Sequence, residues 1–228
     1  MENRKVLKVC DMVVGHGEKI LCRNVSFEIH EGECIMLCGA NGSGKTTLMK
    51  ALAGMNGTSR HEIAMIPARI PKVKGFTLRE FIRISCYRHS DASGRLSTTD
   101  ERRIDETIRR LGLSQLDSRD ISTLSDGEFQ KACISAALIR KARLILLDEP
   151  TAFLDAESRI SVLETLRKLT RTSDEGRRRS VLFSTHDLHE GLKVADRVFA
   201  IGSDGLFHVS KDEDASRRAT VTTIFRDI

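Results

Sequence analysis

The stretch Gly39-Ala40-Asn41-Gly42-Ser43-Gly44-Lys45-Thr46 limits what this chain can fold into more than any other. It matches G-x-x-x-x-G-K-[ST], follows the apolar run Cys34 to Cys38 and opens a helical pattern that stops at Gly54. A strand, a glycine-rich loop and a helix start in that order curl backbone N–H groups around an anion, with the helix dipole behind them. Lys45 then reaches the β- and γ-phosphate oxygens, the Thr46 hydroxyl serves Mg²⁺, and Thr47 counts with them as a nucleotide contact. At average glycine usage the pattern arises by chance in roughly one chain in a hundred of this size. Its setting argues further against a plain glycine-rich turn.

Around this loop the chain reads as an α/β protein. Apolar runs rich in β-branched residues occur at Val6 to Val14, Val25 to Ile29, Cys34 to Cys38, Leu144 to Leu147, Val181 to Ser184 and Val198 to Ile201. Several precede helical patterns, which predicts a largely parallel sheet covered on both faces. The first two runs come before any helix and are joined by GHGEK, so they predict an antiparallel edge sheet. Between Ile70 and Lys141 strand signals nearly vanish and the periodic segments TLREFIRISCYR and TDERRIDETIRRLGL take over. We therefore expect one domain, with residues 1–69 and 142–228 forming the α/β core and edge sheet and about 70–141 forming an inserted helical lobe.

The longest apolar stretches, LILL and CIMLC, fall far short of a membrane span, and the N-terminus has no apolar signal region, so a soluble chain is expected. The six cysteines lack CxxC or metal-ligand spacing, which favours reduced, mostly buried thiols in a cytosolic setting over a zinc site or disulfide framework. The net charge of +5 is mild. Its densest run, GRRRS at Gly176 to Ser180, is read as a solvated loop rather than a nucleic-acid arm, because aromatic residues make up only 4% and none interleaves it.

A second chemical signal is Leu144 to Glu149, a buried strand ending in two acids. Acids at a strand end are usually just solvated. Beside a phosphate loop, Asp148 can hold Mg²⁺ through water and Glu149 can orient an attacking water. A third strand ends FSTHD, placing His186 at the carboxyl edge of the sheet. Alone it would be an ordinary surface histidine; with the other two motifs it becomes a γ-phosphate sensor. The segment STLSDGEFQKA starts a helix on local physics alone, with Ser125 as cap and Glu128 closing a capping box.

These elements in this order, with LSDGE before LLDEP and AFLD just after it, resemble the ATP-binding cassette (ABC) ATPases over nearly the whole chain. The resemblance implies a P-loop NTPase fold with a mostly parallel core sheet, an N-terminal antiparallel subdomain and an inserted helical lobe. It further implies that two cassettes pair head to tail. Ser125 and Gly127 of one chain would then face the ATP held by the other chain's loop, and Asp155 of AFLD would cross the seam as well as capping its own helix. The cap and signature readings share one physics: a capped helix aims its amides and positive dipole end at a γ-phosphate.

Four positions depart from the family pattern. LSDGE has Asp126 and Glu128 where Leu-Ser-Gly-Gly-Gln is usual, and both acids are expected to face away from the triphosphate. His16 aligns with the aromatic residue that stacks on adenine, leaving open a smaller stacking surface or an exposed turn histidine. Ala68 stands where the family has a glutamine, and neither it nor Arg69 can ligate a metal, so a water is expected in the glutamine's place.

A separate cassette of this kind resembles importer subunits, and PKVKGFTLREF, LDEPTAFLD and STHDL look most like those for iron-siderophore, haem and cobalamin uptake. That implies a polytopic membrane permease, an extracytoplasmic ligand-binding protein, no nucleic acid, and a place at the cytoplasmic face of the inner membrane. A shortened hairpin after the phosphate-loop helix, AGMNGTSRHEI, would alter the docking surface. The alternatives are a soluble mechanoenzyme, against which stand the single cassette and the lack of a long coiled-coil insertion, and a regulatory module with low turnover, which Ala68 keeps open.

Overall fold

The computed structural model describes residues 4–54, 63–86, 96–174, 176–211 and 213–225. The shortened-hairpin expectation falls on residues 55–62, outside this set.

Two long strands, β1 (Lys5–His16) and β2 (Lys19–His30), pair antiparallel, and β3 (Cys34–Gly39) leads into α1 (Lys45–Gly54). After β4 (Ile63–Ile66) come α2 (Leu78–Ile84), α3 (Thr98–Arg110) and α4 (Asp126–Ile139). The chain returns to the sheet through β5 (Leu144–Leu147) and α5 (Ala156–Arg171), then forms the small ribbon β6 (Ser173–Asp174) and β7 (Arg177–Arg178). It finishes with β8 (Ser180–Ser184), α6 (Leu188–Val194), β9 (Arg197–Ile201), β10 (Phe207–Val209) and α7 (Asp214–Phe225).

The central sheet has the order β10-β9-β3-β8-β5-β4, parallel throughout except for β10. Strands β3, β5 and β8 are buried on both faces and their side chains alternate between two cores. Cys34, Met36, Cys38, Ile145, Leu147, Val181 and Phe183 join one core with α4, α5 and α6. Ile35, Leu37, Leu144, Leu146 and Leu182 join the other with α1 and the β1–β2 ribbon. Because β3, β8 and β5 are parallel neighbours, all three carboxyl ends open on the same edge.

The helices between β4 and β5 begin where their caps dictate. Thr77 with Glu80 and Ser125 with Glu128 form capping boxes on α2 and α4, and Ser97 caps α3. Arg79 ties α2 to its neighbours through Asp105 (2.6 Å) and Asp117 (2.8 Å). The core on the α4 side runs without a break from the sheet into these helices.

Three expectations change, and that of free, mostly buried cysteines holds. The edge strands extend into GHGEK, so His16 is the last residue of β1, paired with Lys19, and not a turn residue. Strands β4 and β10 gave no usable signal, being four and three residues long. GRRRS is only partly solvated: Arg178 belongs to β7, while Arg179 is buried and reaches the Leu138 carbonyl. The cysteines are all free, and every one but Cys10 is buried, with burial pushing Cys22 to about 11 and Cys38 to about 12.

Candidate functional site

The phosphate loop is built from backbone conformations that side-chain-bearing residues avoid. Gly42 and Gly44 sit at φ +78° and +107°, and a Cβ at Gly39 would lie 2.7 Å from Ser43 Oγ and 2.8 Å from the Ile201 carbonyl. Lys45 is buried at the start of α1 and its Nζ donates to the carbonyls of Gly39 (2.8 Å) and Ala40 (3.1 Å), which holds the ammonium inside the loop. Burial lowers its pKa, opposed by Glu149 and Asp148. Ser43 Oγ is buried with no hydrogen-bond partner, an orphan that a phosphate oxygen would satisfy. Thr47 is half-buried in the first turn, and Asn41 is exposed at the mouth.

The carboxylates meet this loop across the sheet edge. Thr46 Oγ1 donates to Asp148 Oδ2 at 2.6 Å, and Ser184 Oγ donates to Asp148 Oδ1 at 2.9 Å. Ser184 Oγ also accepts from the Glu149 amide at 2.8 Å. Glu149 stands at φ +49°, the left-handed region that β5 enters as it turns away from the sheet. His186 Nε2 lies 2.8 Å from Glu149 Oε1 at ion-pair distance, and the imidazole is half-exposed. Burial raises the Glu149 pKa, opposed by His186 and Lys45. Thr46, Asp148, Ser184, Glu149 and His186 thus form one connected cluster, within whose electrostatic reach Lys45 sits, and Thr46 and Asp148 are fitted to hold a hard cation beside a phosphate.

Sequence reasoning missed Ser184, although it lies in the same FSTHD stretch as His186. Nothing local says that β8 lies between β3 and β5. We expect Ser184→Ala to leave Asp148 and the Glu149 amide without a buried partner, costing about 1–3 kcal/mol and lowering the melting temperature by about 2–10 °C. Calorimetry reads the first effect; an Mg²⁺-dependence of ATP binding weakened along with it reports the misplaced carboxylate. An unchanged melting temperature would show that Ser184 is dispensable.

The remaining candidates lie elsewhere. His16 is exposed at the ribbon end. Ser125 caps α4, its Oγ accepting from the Glu128 amide (3.2 Å) while Glu128 turns back to the Ser125 amide (2.8 Å). Asp126 pairs with Lys72 at 2.7 Å. A Cβ on Gly127 would lie 2.9 Å from Ser158 Cβ, so its small size already serves the packing of α4 on α5. Asp155 caps α5 through the Ser158 amide and hydroxyl, both at 2.8 Å, which holds its carboxyl below the usual range. Among the described residues, no hydrogen bond or ion pair joins Ser125 or Asp155 to the Lys45 cluster.

A glycine-rich loop between a buried parallel strand and a helix, with strand-end carboxylates alongside, defines a P-loop nucleoside triphosphatase. The chain belongs to the ABC transporter family, whose sequence profile matches residues 22–152. It is 27% identical to the petrobactin import ATP-binding protein FpuD of Bacillus anthracis, over 98% of this chain and 87% of that one. It is 28% identical to the iron(3+)-hydroxamate import ATP-binding protein FhuC of Bacillus subtilis, over 82% of this chain and 76% of that one. In fold it is similar to a nucleotide-free ATP-binding cassette from an ABC transporter, with a TM-score of 0.81, 18% identity and 96% of each chain covered. As a cassette of this family it binds ATP and hydrolyses it. No helix among the described residues is long and apolar enough to cross a membrane.

Proposed function

We propose that this chain powers a membrane importer of iron-siderophore, haem or cobalamin-type ligands, working as a head-to-tail pair beneath a polytopic permease at the cytoplasmic face of the inner membrane. An extracytoplasmic ligand-binding protein completes the complex. The observation that carries the reading is the chain of contacts from Thr46 through Asp148 and Ser184 to Glu149 and His186 on one sheet edge, with the Lys45 ammonium held in the adjoining loop. The importer class is supported by the relatives named for petrobactin and iron(3+)-hydroxamate import.

In this mechanism the loop amides of residues 39–46 and Lys45 bind the triphosphate. Thr46 and Asp148 would hold Mg²⁺, which when bound neutralises charge on the phosphate oxygens. Glu149 accepts a proton from the attacking water, its basicity raised by burial, while His186 steadies its carboxylate and senses the γ-phosphate. Ser125, Gly127 and Asp155 serve the partner chain's nucleotide, and His16 lies against the adenine of its own.

The helices assigned to the lobe, about 70–141, carry an open apolar groove of about 300 Å³ lined by Ile70, Val73, Phe76, Phe81 and Ile84. Val73 is 50% and Ile84 54% exposed, which suits the apolar face of a permease helix. Co-purification of a polytopic membrane subunit that stimulates ATP hydrolysis tests the reading; a chain that hydrolyses ATP in isolation and is unaffected by that subunit would overturn it.

Ala68 is exposed in a separate cleft with Arg69 and Phe153, and its methyl is too short to ligate a metal or phosphate. Ala68→Gln supplies a carbonyl able to replace one metal-bound water and tie the lobe to the γ-phosphate. A link of this kind is worth about 0.5–1.5 kcal/mol, or about two- to tenfold in rate. We expect permease-stimulated hydrolysis in lipid to rise more than basal hydrolysis, with nucleotide affinity matched between the two proteins. Equal stimulation would show that the position is silent.

A further inference from the structure

The segment after β4 lacks the glutamine that would link it to its own nucleotide, yet it sends two cations across a cleft of about 580 Å³. The Arg69 guanidinium lies 4.7 Å from the centroid of the Phe153 ring. Phe153 is 70% exposed and sits at φ +68°, just ahead of Asp155. A solvent-facing phenyl in a left-handed conformation gains little from burial and pays in backbone strain, so its stacking partner is the feature to explain. Lys72 Nζ pairs with Asp126 Oδ1 at 2.7 Å, donates to the Leu124 carbonyl at 2.7 Å, and lies 5.6 Å from the centroid of the Phe129 ring. Leu124 and Asp126 flank Ser125. Asp126, one of the two acids that depart from the usual signature, is therefore the partner of Lys72.

We propose that Arg69 and Lys72 are positioning residues that couple the segment after β4 to the half-site this chain offers its partner. Arg69 acts through Phe153 on the Asp155 loop, and Lys72 acts through Asp126 and Leu124 on the Ser125 cap. The coupling rests on the head-to-tail pairing proposed above, and it takes the place of a side-chain link from position 68 to the chain's own γ-phosphate. Two contacts diverging from one short segment make a lever: a displacement at the lobe groove moves the signature cap and the Asp155 loop together.

Mixed dimers separate this coupling from a structural role. A Lys45→Ala chain can donate only a signature half-site, and a Ser125→Arg chain only a phosphate loop. Arg69→Ala with Lys72→Met is placed first on one chain and then on the other. On the signature donor we expect kcat to fall about five- to tenfold with KM for ATP changed less than about twofold. On the loop donor both constants stay within about twofold. Arg69→Lys, which keeps the charge but loses the planar stack, should recover less than half of the loss. A Lys72→Asp, Asp126→Lys exchange on the signature donor should restore part of the rate lost to Lys72→Asp alone, because the ion pair re-forms while a carboxylate at position 72 cannot donate to the Leu124 carbonyl. Single substitutions replace the double one if its melting temperature shows unfolding. An equal fall on both chains marks a structural role, and a fall confined to the loop donor marks coupling to the chain's own site; either overturns the proposal. A parent mixture without activity would instead overturn the head-to-tail pairing on which it rests.

Discussion

Glu149→Gln is expected to abolish steady-state hydrolysis while preserving ATP binding, and to accumulate an ATP-bound dimer. The substitution is nearly isosteric and leaves Lys45, Thr46 and Asp148 in place, along with the bond from the residue 149 backbone amide to Ser184 Oγ, which does not involve the side chain of residue 149. What disappears is the carboxylate that takes the proton from water. Losing a positioned general base costs about 10²–10⁴ in rate, about 2.7–5.5 kcal/mol of barrier. With hydrolysis that slow, ATP stays between the subunits and its binding energy stabilises the pair by mass action, about 2.7 kcal/mol at a hundredfold excess over Kd. Size-exclusion chromatography with and without ATP and Mg²⁺ reads the dimer, and phosphate release reads the chemistry. A monomer that hydrolyses ATP at the parent rate would remove Glu149 from the role of base.

Mixing inactive Lys45→Ala chains with inactive Ser125→Arg chains is expected to restore ATP hydrolysis. Lys45 is a buried cation set within the loop, and its removal withdraws charge-assisted hydrogen bonds worth about 1.5–3 kcal/mol from bound phosphate. Ser125→Arg removes the cap of α4 and places a bulky cation where the helix end should face a phosphate. Each homodimer then carries one defect in both of its sites. A mixed dimer instead gathers both defects into one site and leaves the other intact. With random pairing about a quarter of all sites are intact, so activity should rise to a sizeable fraction of the parent value, given that one site can turn over alone. Verified heterodimers without rescue would reduce LSDGE to a helix cap and leave Ser125 with no part in the partner's site.

Much of the site is legible in the sequence because its signals are local. The phosphate loop needs only a strand, a glycine-rich turn and a helix in immediate succession, and its boundaries appear in the structure where the motif puts them. The caps at Ser125 and Asp155 follow from side chains within three residues. Short strands resisted reading for the opposite reason. Ile63–Ile66 is a four-residue apolar piece, too short for its period to separate strand from helix, and it becomes a strand by pairing with β5. Arg179 carries the same side chain as Arg178, and its place between β7 and β8, where it reaches the Leu138 carbonyl, hides it.

By itself the sequence determined the chemical groups, the strand–loop–helix that binds phosphate, and the alternation that gives each buried strand two apolar faces. The tertiary structure decided which of those groups meet. Thr46 and Asp148 are separated by 102 residues, and Asp148 and Ser184 by 36, yet they hydrogen bond because β8 lies between β3 and β5. Ladder bonds between such strands do not record strand order in the residues that make them, since one Val/Ile/Leu-rich parallel strand pairs much like another. The packing of α1 against one face and of α4 and α5 against the other selects the order, and with it the partners of Asp148 and Glu149. The same dependence on packing sets Arg69 on Phe153 and Lys72 on Asp126, contacts that bring together segments far apart along the chain.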